Sequence, residues 1–319
     1  TEVVLHLLAR SHAPTLEDAL AEVLPRLRGA YSLVVMARDR LIAVRDPNGF
    51  RPLCLGRYQD RYVVASESCA FDIIGAEYQR DIESGEMVVL GDGELKSRHI
   101  DTAARERCCV FEHVYFSRPD SRVFGQSVEA VRRRSGEILG REAPAEADLV
   151  CAVPDSSNTA ALGFARATDL PFELALIRNQ YVGRTFISPA QKVRDMSCRI
   201  KFNPVAELVA GKRIVVVDDS IVRGTTMRKL VKLMRQAGAV EVHLRIASPP
   251  VTNPCFYGID TPVRTELIAS SHTVEEIATY LRVDSLAYLS LEGLLEAAGT
   301  GERYCDAGFS GDYPVPFAR

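Results

Sequence analysis

Residues 213–226 read RIVVVDDSIVRGTT, and this stretch decides the class of fold. Residues 214–217 are four consecutive apolar and mostly β-branched residues, a pattern typical of a strand buried on both faces of a parallel sheet. A polar loop follows, and the apolar positions after it return at helical spacing. These positions are Met227, Leu230, Val231 and Met234. The order of strand, polar loop and helix predicts one βα unit of a parallel sheet.

Each residue type in the loop has a chemical use. Gly224 lets the backbone approach a ligand closely, Thr225 and Thr226 carry hydroxyls, and the free N–H groups of a helix start favour an anion. Asp218 and Asp219 would repel a phosphate there unless they hold sugar hydroxyls or a bridging Mg²⁺. An ordinary turn rich in capping residues is the alternative. The coincidence of acids, glycine and hydroxyls at one strand end favours a site for a phosphorylated sugar with Mg²⁺.

DDSIVRGTT resembles the ribose-phosphate signature of the type I phosphoribosyltransferases. Three further stretches narrow the resemblance: FEHVYFSRPDS at 111–121, VPDSSNTAA at 153–161 and NQYVGRTFI at 179–187. In this order and spacing, they resemble the glutamine phosphoribosylpyrophosphate (PRPP) amidotransferases over essentially the whole chain. The resemblance implies an α+β segment in residues 1–105, the carboxyl-side part of an αββα Ntn-hydrolase glutaminase domain. It implies an α/β type I phosphoribosyltransferase domain with a parallel sheet and a carboxyl-terminal segment in residues 106–319.

The first hundred residues have a pattern of their own. Apolar spacing predicts a helical segment over residues 1–28. Short strand-like runs separated by tight turns then predict an antiparallel sheet. These runs are residues 31–37, 41–45, 62–66 and 87–90. The polar stretch 98–107 predicts a linker, which places the domain boundary near residue 105.

The resembling family takes ammonia from glutamine with an amino-terminal cysteine whose own α-amine acts as base. Residue 1 here is threonine, which can also act as an amino-terminal nucleophile. However, TEVVLHLLARS matches an interior segment of the family, so we expect the nucleophile and the main glutamine-holding residues to lie upstream. The chain as given is therefore expected not to hydrolyse glutamine.

A second strand-to-helix turn follows the apolar run 149–153. Ser156 or Ser157 in this turn could be a simple helix N-cap. The resemblance instead implies that both serines bind the pyrophosphate, with Ser156 also at the metal. After a further predicted strand at 172–177 comes a long basic segment without apolar period, and a loop of this length is usually functional or disordered. The resemblance implies that its Arg184 and Lys192 approach the pyrophosphate.

The eight cysteines are scattered, and most are expected to be reduced core residues. In a subset of the resembling family four cysteines hold a [4Fe–4S] cluster. By position these are Cys109, Cys255, Cys305 and a fourth site occupied here by Gly308. Four thiolates normally hold such a cluster, so two alternatives stay open. Either a structural cluster is bound, with Cys108 or an external group completing it, or the cysteines are buried and bind no metal.

Length and composition indicate the general class of the protein. A chain of 319 residues can form two cores, and contents of 47% hydrophobic and 25% charged residues are ordinary for a globular protein. A net charge of −3 gives no reason to expect a nucleic-acid or membrane partner. With no apolar run near the length of a membrane span, a cytoplasmic protein is expected. The resemblance also implies that the protein is a homo-oligomer, either a dimer or a tetramer.

The leading hypothesis is phosphoribosyl transfer from PRPP to ammonia, which gives 5-phosphoribosylamine in the first step of purine synthesis. Asp218 and Asp219 are then expected at the ribose hydroxyls and Mg²⁺, with Ser220 and residues 223–226 at the 5-phosphate. Purine nucleotides are the inhibitors that the resemblance implies. The alternatives are a non-catalytic regulator that binds PRPP or purine nucleotides, and a phosphoribosyltransferase that uses a nucleobase. The glutaminase-like first third disfavours the second alternative.

Overall fold

The structure is a computed structural model, which describes residues 2–91, 93–100, 105–179, 201–261, 263–299 and 301–316. The helices of these residues are α1 (Glu2–Leu8), α2 (Leu16–Val23), α3 (Cys69–Ile74), α4 (Val128–Glu142), α5 (Asn158–Thr168), α6 (Ala206–Val209), α7 (Thr225–Gln236), α8 (Val274–Leu281), α9 (Leu291–Ala298) and α10 (Ala307–Ser310). The strands are β1 (Ser32–Met36), β2 (Arg40–Arg45), β3 (Cys54–Tyr58), β4 (Arg61–Ala65), β5 (Glu77–Asp81), β6 (Glu86–Gly91), β7 (Glu94–His99), β8 (Cys108–Cys109), β9 (Arg122–Val123), β10 (Gln126–Ser127), β11 (Leu149–Ala152), β12 (Leu176–Arg178), β13 (Phe202–Pro204), β14 (Arg213–Asp218), β15 (Glu241–Ile246), β16 (Ser285–Tyr288) and β17 (Tyr304–Cys305).

Residues 2–100, the amino-terminal part, contain two antiparallel sheets, whereas the short strand-like runs predicted a single one. One sheet has the order β1-β2-β6-β7 and the other β4-β3-β5. Ile42 and Val44 face α1 and α2, whereas Ala43, between them, packs with Leu55 of the second sheet. Helix α3 covers the far face of the second sheet, where Phe71 packs on β3. The alternation of residues along β2 therefore produces four layers, αββα.

The predicted helical segment over residues 1–28 is wrong in its extent. Helix α1 ends at Leu8, and α2 begins only at Leu16. Pro14 lies in the gap, where it cannot supply the backbone N–H that a continuous helix needs. The side chain of Thr15 then caps the new helix by accepting from the backbone N–H of Asp18 at 3.1 Å.

Residues 105–316, the carboxyl-terminal part, contain a parallel sheet of order β11-β14-β15-β16. The predicted signature strand is central in it, and residues 214–217 are fully buried. Val215 and Val217 face the core that contains α4 and α5, whereas Ile214 and Val216 face the core beneath α7. This two-sided burial is the reason for the unbroken apolar run.

The register of the sheet brings two loops together. Ala152 at the end of β11 lies beside Val217 of β14, and the strands are parallel. The loops that leave their carboxyl ends, 153–157 and 218–224, therefore open on the same edge of the sheet. This edge is where ligands bind in open α/β sheets.

The predicted strand at residues 172–177 is wrong in its extent. Phe172 makes only an isolated parallel bridge to Val150, and β12 begins at Leu176. Strand β12 pairs with β13 in a separate two-stranded antiparallel sheet, so it is not a strand of the main parallel sheet. The predicted boundary near residue 105 stays a prediction, since residues 101–104 lie outside the described residues.

Candidate active site

Two adjacent carboxyls form the centre of the site. Asp218 ends β14, and the backbone N–H of Asp219 donates to Asp218 Oδ1 at 2.9 Å. Ser157 Oγ donates to Asp218 Oδ1 at 2.9 Å, and Ser156 Oγ donates to Asp219 Oδ2 at 2.5 Å. Ser220 Oγ donates to the other oxygen of Asp219 at 2.6 Å. The structure thus joins the two βα loops, which are more than sixty residues apart in sequence, through hydrogen bonds.

The serines do not act as simple helix caps. Ser157 occupies the N-cap position of α5, but its side chain makes no capping hydrogen bond and is fully buried against Asp218. Ser156, one residue earlier, is directed to Asp219. The simple N-cap explanation of this turn is therefore wrong, because the hydroxyls are used across the sheet edge instead.

Burial raises the pKa of both carboxyls above the usual range of aspartic acid, and the charge of Asp219 raises the pKa of Asp218 further. Hydrogen bonds from the serine hydroxyls and the charge of Arg132 oppose the increase at Asp219. A cation at this pair would favour both ionised forms.

The donor atoms at this edge fit Mg²⁺. Carboxylate oxygens of Asp218 and Asp219 and the hydroxyl of Ser156 lie together, and Mg²⁺ prefers oxygen ligands of this kind. These three side chains supply few ligands, which suits Mg²⁺ because the ion usually keeps several water and substrate oxygens as ligands. Among the described residues, no group of three or more histidine, cysteine or acidic side chains is arranged to hold a metal ion unaided.

The backbone at the start of α7 has a geometry that suits an anion. Gly224 precedes the helix with φ +71°, a left-handed conformation that favours glycine. Thr225 and Thr226 form the exposed first turn, where backbone N–H groups have no partner within the helix. The guanidinium of Arg223 donates to Glu266 at 2.7 Å, so the backbone and hydroxyls are the groups offered to a phosphate.

Two predicted pyrophosphate residues, Arg184 and Lys192, lie outside the described residues. Arg178, at the end of β12, is the nearest described basic residue before that segment. Its guanidinium pairs with Asp155 at 2.9 Å. Asp155 directly precedes Ser156, so this pair ties β12 to the loop that carries the serines.

Sequence reasoning missed Arg132, which is 4% exposed on α4. Its charge lowers the pKa of Asp219, which places it within electrostatic range of the acid pair. The sequence did contain a signal, because Arg132 follows Val128 and Val131 on the apolar stripe of the helix. A charged residue on such a stripe indicates a buried polar contact.

The three cysteines of the proposed cluster do meet. Cys109, Cys255, Cys305 and Gly308 line one apolar cavity of about 20 Å³. Burial raises the pKa of Cys305 to about 12, so the thiol keeps its proton. The fourth position offers no thiolate, and a Cβ placed on Gly308 would lie 3.1 Å from the ring of Phe111. The residues present do not fit a four-thiolate cluster.

Comparison with known protein families agrees with the two-part architecture. Residues 1–72 match the family described as glutamine amidotransferase domain, and residues 125–247 match phosphoribosyl transferase domain. The second match contains both strand-to-helix loops of the candidate site.

Relatives resemble the chain over nearly its full length. It is 50% identical to amidophosphoribosyltransferase of Bacillus subtilis over 99% of the chain and 67% of that protein. Identity to the Archaeoglobus fulgidus amidophosphoribosyltransferase is also 50%, over 99% of the chain and 70% of the relative. The chloroplastic amidophosphoribosyltransferase 1 of Arabidopsis thaliana is 51% identical over 99% of the chain and 56% of its own length.

Solved structures share the fold. The B. subtilis glutamine PRPP amidotransferase complexed with ADP and GMP superposes with a TM-score of 0.94 at 49% identity, over 99% of this chain and 70% of that one. A structure described as the allosteric regulatory enzyme of purine biosynthesis gives a TM-score of 0.95 at 48% identity, over 100% of this chain and 70% of that one.

Proposed function

The chain belongs to the amidophosphoribosyltransferase family, and from this membership we propose that it transfers the phosphoribosyl group of PRPP to ammonia. The product is 5-phosphoribosylamine, in the first committed step of purine synthesis. One observation carries the proposal: Ser156 donates a hydrogen bond to Asp219 and Ser157 donates one to Asp218, which joins the two βα loops. No feature of the described residues favours a non-catalytic regulator.

The reaction is a substitution at C1 of the ribose with inversion. The lone pair of ammonia forms the new C–N bond, and the C1–O bond breaks so that pyrophosphate leaves with the bonding pair. The ammonium group on the product then loses one proton. Positive charge develops on the ribose ring and negative charge grows on the leaving group. Catalysis therefore depends on placing the reactants and on stabilising these two charges.

The protein groups have separate tasks in this proposal. Asp218 and Asp219 accept hydrogen bonds from the ribose hydroxyls, and their negative charge favours the cationic ring of the transition state. With Ser156 they would hold Mg²⁺, which neutralises charge on the pyrophosphate oxygens when bound. By family resemblance we assign Ser157, Arg184 and Lys192 to the pyrophosphate. The Ser157 hydroxyl is fully buried and donates to Asp218 in this structure, so it would have to turn from that carboxylate to bind the pyrophosphate.

The 5-phosphate is assigned to the loop before α7. The backbone N–H groups of its first turn, with Ser220, Thr225 and Thr226, supply donors around an anion. Arg223 contributes its backbone N–H in this arrangement, since its guanidinium is paired with Glu266.

Pyrophosphate release tests the function. The chain, with PRPP, Mg²⁺ and an ammonium salt, should release pyrophosphate, whereas Asp218→Asn with Asp219→Asn should abolish release. Asp148→Asn is the matched control, because Asp148 bonds to Arg213 at the opposite end of β14. The control should keep the parent rate. Full turnover by the double variant would show that the acid pair has no part in the reaction.

Ammonia is the nitrogen source that we propose for the transferase site. The ammonium salt in the assay supplies it directly, so pyrophosphate release does not depend on a glutaminase step.

The remaining expectations are also proposals. No helix among the described residues is long and apolar enough to cross a membrane. We assign the enzyme to the cytoplasm and to a homo-oligomer, a dimer or a tetramer, by family resemblance. Purine nucleotides are proposed as inhibitors, since a solved relative is described as complexed with ADP and GMP. Iron and sulfide analysis should find no stoichiometric cluster, in agreement with glycine at position 308.

A further inference from the structure

The segment 264–270 lies against the loop that precedes α7. It consists of two short 3₁₀ turns. Leu267, between the turns, is fully buried in the core that contains α4 and α5, whereas Ile268 packs against the core beneath α7. The segment is therefore anchored in the cores on both faces of the parallel sheet, which gives the loop a rigid neighbour.

Two contacts fix the backbone of the loop to this segment. The backbone N–H of Ile268 donates to the carbonyl of Val222 at 3.0 Å. A Cβ on Gly224 would lie 3.1 Å from Ile268 Cδ1, so this side chain lies directly against the loop. Neither contact involves a charged group. A change of charge at a neighbouring side chain should therefore leave the loop backbone where it is.

An ion pair joins the same two parts of the chain at the surface. Arg223 Nε donates to Glu266 Oε2 at 2.7 Å, and the two side chains are 55% and 50% exposed. An exposed pair of this kind contributes little to stability. Its effect on the local charge is larger, because Glu266 cancels the positive charge of the residue whose backbone N–H is assigned to the 5-phosphate.

We propose that Glu266 sets the affinity of the 5-phosphate site by neutralising Arg223. The guanidinium lies no farther from the loop than the length of its own side chain, so its charge, when free, would attract a phosphate dianion bound there. Glu266 is a positioning residue, because it acts through Arg223 and is not placed in contact with the substrate. The inference rests on the proposed assignment of the 5-phosphate to this loop.

The two members of the pair should change the KM for PRPP in opposite directions. Glu266→Gln keeps the size of the side chain but removes its charge. Because a unit charge then acts on a dianion across about 8 Å of water, the KM should fall roughly threefold. Arg223→Gln leaves the charge of Glu266 unopposed and should raise the KM by a similar factor. The double variant carries neither charge and should return to near the parent KM.

The turnover number provides a second readout. The 5-phosphate takes no part in the bond changes at C1, so its binding is equally strong in the ground state and the transition state. The kcat of Glu266→Gln should therefore stay near that of the parent while the KM falls. Added salt should reduce the effects of both single changes, because the two side chains are exposed to solvent.

A second exposed ion pair provides the matched control. Asp120 and Arg118 pair at 2.7 Å, and their side chains are 51% and 61% exposed. Asp120→Asn makes the same change in net charge as Glu266→Gln, and it should leave the KM within about twofold of the parent.

A purely mechanical role of the Arg223–Glu266 pair predicts a different pattern, since both single changes would loosen the loop and raise the KM. An equal or higher KM in Glu266→Gln would overturn the proposal. A double variant as weak as Arg223→Gln, or an equal fall in KM for Asp120→Asn, would also overturn it.

Direct binding separates this inference from the proposed function. If the parent binds Mg²⁺-PRPP in a calorimetric titration but releases no pyrophosphate, the transferase proposal fails while the role of Glu266 is still tested. In that case Glu266→Gln should lower the dissociation constant by the same factor, and an equal or higher constant refutes the role. A parent that binds no Mg²⁺-PRPP would overturn both.

Discussion

The change Gly224→Ala tests whether the loop before α7 needs its special backbone. Gly224 has φ +71°, and a Cβ there would lie 3.1 Å from Ile268 Cδ1 and 3.4 Å from Tyr280 Cε1. The left-handed conformation costs a residue with a Cβ about 1–2 kcal/mol. Crowding against Ile268 adds about 1 kcal/mol, the low end of the cost of overpacking. We therefore expect a loss of roughly 2–3 kcal/mol in the free energy of unfolding.

Gly211→Ala separates the two contributions. Gly211 also has φ +71°, but a Cβ there would meet no atom within 4 Å. This variant should lose only the conformational part, about 1–2 kcal/mol. Urea unfolding of both variants, monitored by circular dichroism, measures the difference directly. Equal losses would refute the contact with Ile268.

The same pair of variants gives a functional result. The backbone N–H of Ile268 donates to the carbonyl of Val222 at 3.0 Å, which ties Ile268 to the loop, so crowding by Gly224→Ala should displace the N–H groups assigned to the 5-phosphate. A displacement well below 1 Å should reduce kcat/KM for PRPP roughly tenfold. Gly211→Ala should keep the parent value. A Gly224→Ala variant with the parent kcat/KM would refute the assignment of this loop to the phosphate.

Two further predictions concern stability. Burial lowers the pKa of His113 to about 3 from an ordinary value of 6.5, so its contribution to folding is complete above pH 6.5 and is lost as pH falls towards 3. His113→Gln should flatten the pH dependence of the unfolding free energy by up to about 1.4 kcal/mol per pH unit between pH 6.5 and 3. An unchanged slope would show that His113 does not have a lowered pKa in the folded protein. Gly136→Ala should destabilise the protein by about 3 kcal/mol or more, because its Cβ would lie 1.8 Å from the carbonyl oxygen of Ala160 and would force α4 from α5. A melting temperature equal to that of the parent would show that the helices separate at little cost.

The signature strand and its helix were predictable because local sequence determines them. Residues 214–217 are buried on both sides, so their apolar run did not depend on any neighbour being known. The helix that follows Gly224 has its apolar positions on one face. The sequence did mark the break in the first helical segment, since no Leu, Ile or Val lies between Leu8 and Leu16 and Pro14 stands in that gap; the prediction joined the two apolar patterns across it.

The hydrophobic periodicity of the sequence does not show that the two βα loops lie together. Strands β11 and β14 are neighbours in the sheet although β12 and β13 lie between them in the chain. The side chain of Ser157 therefore finds Asp218 only through the tertiary fold, whereas local rules favour a helix cap. Only the family resemblance brought Ser156 and Ser157 into one site with the aspartates before the structure did so.

The central claim is that one sheet edge binds PRPP, with the acid pair at the ribose and the start of α7 at the 5-phosphate. A crystal structure of the protein with Mg²⁺-PRPP tests it most directly. We predict density for the ribose within hydrogen-bond distance of Asp218 and Asp219, and density for the 5-phosphate against the backbone of residues 223–226. PRPP bound in full occupancy away from residues 218–226 would contradict the account.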